Sequence, residues 1–109
     1  MIAKRPSVFI YTNRPDSAVL KEICAGIEEN GVFYEIFERD VQNPQALAHS
    51  AANDSMMGAG IGVVQQDVTM QMKGIPYGKT VESLKQPDMR DCRRIGANSA
   101  RAVKKMPLL

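Results

Sequence analysis

The spacing of apolar residues predicts strand, helix and strand in the first third of the chain. Residues 7–11 (SVFIY) form an apolar run that ends at TNRPD, which predicts a buried, central strand followed by a turn. Along residues 16–30, apolar side chains recur at i, i+3, i+4 and i+7, the spacing of a helix with one buried face. Residues 32–37 (VFYEIF) predict a second strand, parallel to the first because a right-handed crossover joins them.

A hairpin and a mixed sheet are predicted in the middle of the chain. A second helix begins at residues 43–44, where proline follows asparagine, and ends near residue 58. Residues 61–64 and 68–72 predict two further strands, with only residues 65–67 between them. Because so short a connection cannot make a parallel crossover, the fourth strand runs antiparallel to the third.

The last third of the chain completes the predicted fold. Residues 80–84 predict a fifth strand at the edge of the sheet, and Pro87 and Asp88 open a final helix. Side chains of its buried face recur at helical spacing, at Cys92, Ile95, Ser99, Val103 and Met106. The order β-α-β-α-β-β-β-α predicts one α/β domain over residues 1–109. Its architecture is a three-layer sandwich around a five-strand mixed sheet.

Composition restricts the chemistry that this domain can carry. The 109 residues are 44% hydrophobic, a globular level, and include one histidine and two cysteines. Cys24 and Cys92 lie far apart without a neighbouring Cys or His, which excludes the usual zinc spacings and indicates reduced thiols on the core faces of helices. His49 has no second histidine beside it and is expected to be exposed. These features argue against a metalloenzyme or a histidine-based triad, and no catalytic residue is predicted in this chain.

Charge and hydropathy bear on location and partners. No apolar stretch approaches the ~20 residues that span a bilayer, and MIAKRPSVFIYTNRP lacks a signal-peptide core, which predicts a cytoplasmic protein without a membrane partner. The net charge of +2 combines −3 over residues 1–54 with +5 over residues 55–109. So small a net charge argues against nucleic acid as a partner, because nucleic-acid binding usually requires a basic stripe.

Two short segments invite comparison with phosphate-binding loops. GAGIGV at residues 58–63 has closely spaced glycines, but they precede a strand, so a turn and close backbone packing are favoured over dinucleotide binding. TNRPDS at residues 12–17 opens a helix and could bind an anion through backbone N–H groups. Because TNRPDS lacks glycines, loop closure is the favoured role.

At two places the chain carries residues that are unfavourable for the predicted helix in which they lie, and each place has more than one explanation. Glu28 and Glu29 lie in the last turn of the first predicted helix, where the helix dipole disfavours a carboxylate by ~0.3–1 kcal/mol. Either this surface is solvated, or a cation or a partner group meets it. Gly96 lies inside the last helix at a cost of ~1 kcal/mol relative to alanine. Close approach of another backbone, or a helix that ends or kinks there, would account for this glycine.

Two segments together carry a resemblance to a known family. GIEENGVFYEI at residues 26–36 and RRIGANSARAVKKMPL at residues 93–108, with GIGVVQQ between them, resemble the small subunit of diol and glycerol dehydratase reactivating factors. These factors are chaperone-like partners of adenosylcobalamin-dependent dehydratases. The resemblance spans nearly the whole chain, with TNRPDS and KGIPYGKT as the divergent segments. It implies a three-layer fold akin to anticodon-binding domains, with one strand antiparallel.

The resemblance also implies a function without catalysis in this chain. The small subunit pairs with a large actin-like ATPase subunit, two of each, and ATP is bound and hydrolysed by the large subunit. Release of the small subunit exposes a surface that grips inactive dehydratase, in a transient complex from which damaged cobalamin leaves. Glu29 is implied as a ligand of a magnesium ion at the interface with the large subunit, and Glu28 and Asn30 as neighbouring interface residues.

Two other functions stay open at this point. A medium-subunit-like structural component of a cobalamin-dependent dehydratase shares the implied fold, but there the similarity covers part of a longer chain. A nucleotide- or RNA-binding α/β domain follows from fold analogy alone. The sequence also leaves open whether the system acts on glycerol or propane-1,2-diol, whether the complex lies in a bacterial microcompartment, and whether the isolated chain forms homodimers.

Overall fold

The computed structural model describes residues 6–109, and its elements follow the predicted order. The helices and strands are β1 (Ser7–Asn13), α1 (Ser17–Glu29), β2 (Phe33–Glu38), α2 (Pro44–Asp54), β3 (Ala59–Val64), β4 (Asp67–Met72), β5 (Glu82–Leu84) and α3 (Met89–Val103). No helix among residues 6–109 is long and apolar enough to cross a membrane. The α/β class and all eight elements predicted from periodicity and breakers are therefore confirmed.

The sheet has the strand order β2-β1-β3-β4-β5. Strand β1 pairs in parallel with β2 and β3, whereas β4 pairs antiparallel with β3 and β5. Among the described strands, β4 is thus the one that runs against the others, which confirms the predicted mixed sheet with one antiparallel strand. The expectation that β1 is central is wrong, because the β3–β4 hairpin and β5 extend the sheet beyond β3 and leave β3 in the middle.

The helices cover both faces of the sheet. Alternate residues of β1 point to opposite faces: Val8 and Ile10 belong to the core beneath α1 and α3, while Phe9 and Tyr11 pack with α2. The larger core is formed by buried side chains of the sheet and of α1 and α3, among them Val19, Ile23, Ile27, Ile61, Met70, Cys92 and Ile95. The predicted three-layer sandwich is confirmed, with α1 and α3 in one outer layer and α2 in the other.

Glycines let backbones approach closely in both outer layers. A Cβ atom added to Gly60 would lie 2.2 Å from the Ala52 nitrogen in α2, so GAGIGV serves for close packing, as predicted. A Cβ atom on Gly96 would lie 2.1 Å from the Ile23 carbonyl oxygen, and one on Gly26 would lie 2.2 Å from the Arg93 carbonyl oxygen. The helix α3 continues through Gly96, so of the open interpretations the close backbone approach is correct.

Two placements differ from the sequence predictions. Helix α3 ends at Val103, and Lys105 adopts a left-handed conformation (φ 57°) that turns the chain, so Met106 lies outside the helix and is exposed. His49 is half-buried instead of exposed, because the Tyr77 ring packs edge-on against it with centroids 5.3 Å apart. Both differences depend on how the chain folds back after an element ends, which local periodicity does not encode.

Candidate partner-binding site

The three residues predicted at a partner interface lie together where α1 ends. Glu28 and Glu29 occupy the last turn of the helix, and Asn30 is the residue that caps it. Gly31 follows with a φ of 71°, the left-handed conformation that lets the chain leave the helix. The sequence prediction of a helix ending in two carboxylates is therefore confirmed at the level of local structure.

Glu29 points toward α3, where it meets a cation from its own chain. The Arg93 Nη1 group donates to Glu29 Oε2 at 2.9 Å, and Arg93 Nε donates to Glu22 Oε2 at 2.8 Å. These two bonds, the one to Glu22 foremost, raise the pKa of the Arg93 guanidinium. The charge that the helix dipole disfavours is thus balanced by an arginine 64 residues away in the sequence.

Glu28 points the other way, toward the edge strand β2. The Tyr34 hydroxyl donates to Glu28 Oε1 at 3.1 Å. Burial is the largest of the effects that raise the pKa of Tyr34 to about 12, so its hydroxyl stays protonated and remains a donor near neutral pH. Burial likewise raises the pKa of the neighbouring Cys24 thiol, in keeping with the expected core position of this cysteine. Glu28 and Glu29 therefore have different surroundings although they are adjacent in sequence.

Asn30 closes the end of α1 with its side chain and its carbonyl group. Its Nδ2 atom donates to the Gly26 carbonyl oxygen at 2.9 Å, and its own carbonyl oxygen accepts from Lys104 Nζ at 2.9 Å. Lys104 thus brings a positive charge to the negative end of the α1 dipole. The role of Asn30 within the chain is to cap the helix and fix the last turn from which Glu29 projects.

A groove of about 500 Å³ runs beside these residues, between α1, α3 and the C-terminal segment. Met89, Ala97 and Leu109 contribute its apolar part, and the charged lining residues include Glu22, Glu29, Arg90, Arg93 and Arg94. Leu109 is fixed there because its N–H donates to Asn98 Oδ1 at 2.7 Å. An apolar groove with charged residues among its lining resembles the core and rim of a protein–protein interface.

The donor set limits what metal chemistry this chain can support. Within residues 6–109, no group of three His, Cys, Asp or Glu side chains is placed to hold a metal ion. Glu29 nevertheless offers a carboxylate, the ligand type that Mg²⁺ prefers, on a side chain that is 58% exposed. The residues present are thus compatible only with a shared site, in which Glu29 would supply one ligand and a partner or water the rest.

Backbone N–H groups at the start of α1, directly after the loop TNRPDS, are already hydrogen-bonded within the chain. Asp16 Oδ1 accepts from the N–H groups of Ala18 at 3.0 Å and Val19 at 3.1 Å. A polar cavity of about 360 Å³ lies beside this loop, lined by Arg14, Asp16 and the β3–β4 turn among others. Because the Asp16 carboxylate takes the position that an anion would need, the structure supports loop closure as the role of TNRPDS.

Arg93 and Glu22 are the residues of this site that sequence reasoning missed. Glu22 and Glu29 are seven residues apart, about two helical turns, so they share one face of α1. That spacing is a signal for a paired acidic face, but it does not identify the cation. Arg93 lies in RRIGANSARAVKKMPL, where only the resemblance drew attention to it.

Comparisons with known proteins found a matching family model and a similar curated protein. A family model described as dehydratase medium subunit matches residues 5–109. The small subunit of the propanediol dehydratase-reactivating factor of Citrobacter freundii is 30% identical over 103 residues, which cover 94% of this chain and 89% of that protein. Both matches extend over nearly the whole chain.

Solved structures share the fold. The diol dehydratase-reactivating factor complexed with ADP and Mg²⁺ contains a chain that superposes with a TM-score of 0.90 at 24% identity, covering 97% of this chain and 99% of that one. A glycerol dehydratase reactivase chain gives a TM-score of 0.90 at 26% identity, with 95% and 96% covered. The resemblance carried by the two sequence segments is confirmed, and the chain belongs to the dehydratase medium-subunit family, among the relatives of diol and glycerol dehydratase reactivating-factor small subunits.

Proposed function

We propose that this chain is the non-catalytic small subunit of a diol or glycerol dehydratase reactivating factor. The observation that carries the proposal is the 30% identity to a reactivating-factor small subunit over 94% of this chain and 89% of that protein. The shared fold of two reactivase chains supports it. The sequence, with one histidine and no phosphate-binding loop, agrees with a subunit that binds and does not catalyse.

The partner in this proposal is the large subunit, which binds and hydrolyses ATP. Two large and two small subunits form the complex, and release of the small subunit frees a surface on the large one. That surface takes hold of inactive dehydratase, which loosens the site and lets damaged cobalamin leave. A solved relative is a reactivating factor complexed with ADP and Mg²⁺, which supports a nucleotide and magnesium in the assembly. We place the complex in the cytoplasm, in or outside a microcompartment.

Glu29 is the residue through which this chain contributes to the interface magnesium ion. Its carboxylate is exposed at the groove between α1 and α3, and a hard divalent cation prefers ionised oxygen ligands. The large subunit completes the coordination, because the described part of this chain does not provide a full ligand set. Glu28 and Asn30 flank Glu29 and lie within the same contact surface.

A second function is favoured by one specific observation. The matching family model carries the description dehydratase medium subunit, which suits a structural subunit held permanently within a cobalamin-dependent dehydratase. The two functions predict different stable partners, because a medium subunit associates with a catalytic cobalamin-binding subunit. The match in length and sequence to a reactivating-factor subunit supports the first function over the second.

Glu29→Gln tests the proposal, because it removes the charge while nearly preserving the volume. Titration against the large subunit with magnesium should show association weakened about five- to a hundredfold, the effect of losing one charged contact worth ~1–3 kcal/mol. The free energy of unfolding should change by less than ~0.5 kcal/mol. The variant loses an exposed ion pair, but it also removes a negative charge that the helix dipole disfavours, and the two effects offset each other.

Glu28→Gln is the matched control for the metal contact, because it removes the same charge from the adjacent residue, whose carboxylate accepts from Tyr34 and faces β2. Association of Glu28→Gln should therefore still depend on magnesium, as that of wild type does. With a chelator present, wild type and Glu29→Gln should bind alike. Equal binding of wild type and Glu29→Gln in magnesium would mean that Glu29 is a solvated surface residue and would remove the metal assignment.

A further inference from the structure

The Arg93 guanidinium occupies the place next to Glu29 where a cation is expected. We infer that Arg93 is an internal counter-ion, which neutralises the Glu29 carboxylate in the free chain and gives it up when Glu29 binds a divalent cation shared with the partner. This inference rests on the proposed function, because it takes Glu29 as the residue that meets the cation. Arg93 then competes with the cation for Glu29 and so helps to set the magnesium concentration that subunit association requires.

The geometry gives Arg93 two separate contacts. Nε is bonded to Glu22 at 2.8 Å and Nη1 to Glu29 at 2.9 Å, so different N–H groups of the guanidinium serve the two carboxylates. The planar guanidinium has five N–H donors, and releasing one carboxylate leaves the bond to the other intact. Arg93 can therefore stay anchored on Glu22 while Glu29 turns toward a new ligand.

The exposed fractions of the two carboxylates indicate which bond of Arg93 breaks: the one to Glu29. The Glu29 side chain is 58% exposed, compared with 28% for Glu22. An exposed ion pair is weakened by solvent screening and contributes little to stability, whereas the more enclosed pair is screened less. Exchange of Glu29 from Arg93 to an incoming cation is therefore the less costly of the two possible exchanges.

The crossing of α1 and α3 fixes the backbone from which Arg93 projects. The Arg93 carbonyl oxygen lies against Gly26, where a Cβ atom would be only 2.2 Å away. Arg93 is thus held next to the last turns of α1 by packed helices and not by a loop. A divalent cation bound to Glu29 would repel the guanidinium at this range, so cation and arginine compete for the carboxylate.

The test is the magnesium dependence of association with the large subunit. Arg93→Met keeps the aliphatic stem and removes the competing cation, so the magnesium concentration at half-maximal association should fall about two- to fivefold, the effect expected for loss of an exposed ion pair. Arg14→Met is the matched control, because it removes the same charge from an exposed arginine that lies outside this groove, in the TNRPDS loop. Arg14→Met should leave the half-maximal magnesium concentration within about 1.5-fold of wild type.

The outcomes separate this inference from the proposed function. If Glu29→Gln leaves magnesium dependence intact, the proposed metal contact fails whatever Arg93 does. If Glu29→Gln abolishes the dependence but Arg93→Met leaves it unchanged, raises the magnesium requirement, or matches Arg14→Met, the counter-ion role is wrong. The double variant Arg93→Met, Glu29→Gln should behave like Glu29→Gln alone. Arg93→Gln, which also removes the charge, replaces Arg93→Met if urea unfolding shows that the latter does not fold.

Discussion

Replacing Gly96 by alanine tests the helix crossing that places Arg93 beside Glu29. Gly96 lies in the interior of α3, and the nearest atom to an added Cβ is the Ile23 carbonyl oxygen of α1, at 2.1 Å. Ordinary van der Waals contact begins near 3.4 Å, so the helices would have to separate locally by more than about 1 Å. The obstructing atom belongs to the backbone and cannot rotate away as a side chain could.

Two opposing effects set the magnitude. Overpacking typically costs 1–3 kcal/mol, and a clash with backbone places Gly96→Ala near the upper end of about 3 kcal/mol. Alanine is a better helix former than glycine by about 1 kcal/mol. We therefore expect a net loss of about 2 kcal/mol in the free energy of unfolding, whereas helix propensity alone predicts a gain of about 1 kcal/mol.

Urea unfolding followed by circular dichroism measures this difference. With a slope near 2 kcal/mol/M, Gly96→Ala should lower the midpoint by about 1 M. Gly26→Ala should act in the same direction, because its Cβ would meet the Arg93 carbonyl oxygen at 2.2 Å. Gly31→Ala is the contrasting variant: its space is open and only its φ of 71° is unfavourable, so it should cost about 1 kcal/mol. A midpoint for Gly96→Ala at or above that of wild type would refute the close crossing.

Four further predictions concern the two thiols, a helix cap and the absence of catalysis. Cys24 and Cys92 are buried and unpaired, so thiol labelling at neutral pH should be slow until denaturant is added, and rapid stoichiometric labelling of the native protein would contradict their placement. Burial is the main cause that raises the pKa of Cys92 from 9.0 to about 11, so this thiol's contribution to stability should be lost as the pH rises from about 9 to 11, measurable by urea unfolding across that range. Asp88→Ala removes the cap that accepts from the Asp91 N–H group at 2.8 Å and should cost about 1 kcal/mol in the same assay, so an unchanged midpoint would argue against the cap. The isolated chain should release no phosphate from ATP, and turnover that is abolished by Arg14→Ala would overturn that expectation.

Local sequence signals were sufficient to predict the order of elements and where the second and third helices begin. The run SVFIY, the helical spacing in residues 16–30 and the short connection between β3 and β4 each specify structure over a few residues. The position of β1 within the sheet was not predictable in this way, because it depends on where β4 and β5 pair. Likewise, His49 is half-buried because Tyr77 packs against it from a later part of the chain.

The candidate site shows what sequence reasoning can detect and where it stops. The unfavourable charge of Glu29 and the unfavourable glycine at position 96 were both evident from local rules for helices. The structure shows that both belong to the contact between α1 and α3: Gly96 permits the approach, and Arg93 neutralises Glu29. The pairing of Arg93 with Glu29 spans 64 residues, so no local rule could identify it.

The most direct test of the proposed function is a comparison of the two candidate partners. Equimolar mixtures of this chain with the large subunit of the reactivating factor, or with the catalytic subunit of the dehydratase, would be analysed by size-exclusion chromatography with light scattering, each with magnesium and with a chelator. The account predicts a stable complex with the large subunit that depends on magnesium, and no co-elution with the catalytic subunit. Stable co-elution with the catalytic subunit and none with the large subunit would contradict it and identify the chain as a structural subunit of the dehydratase.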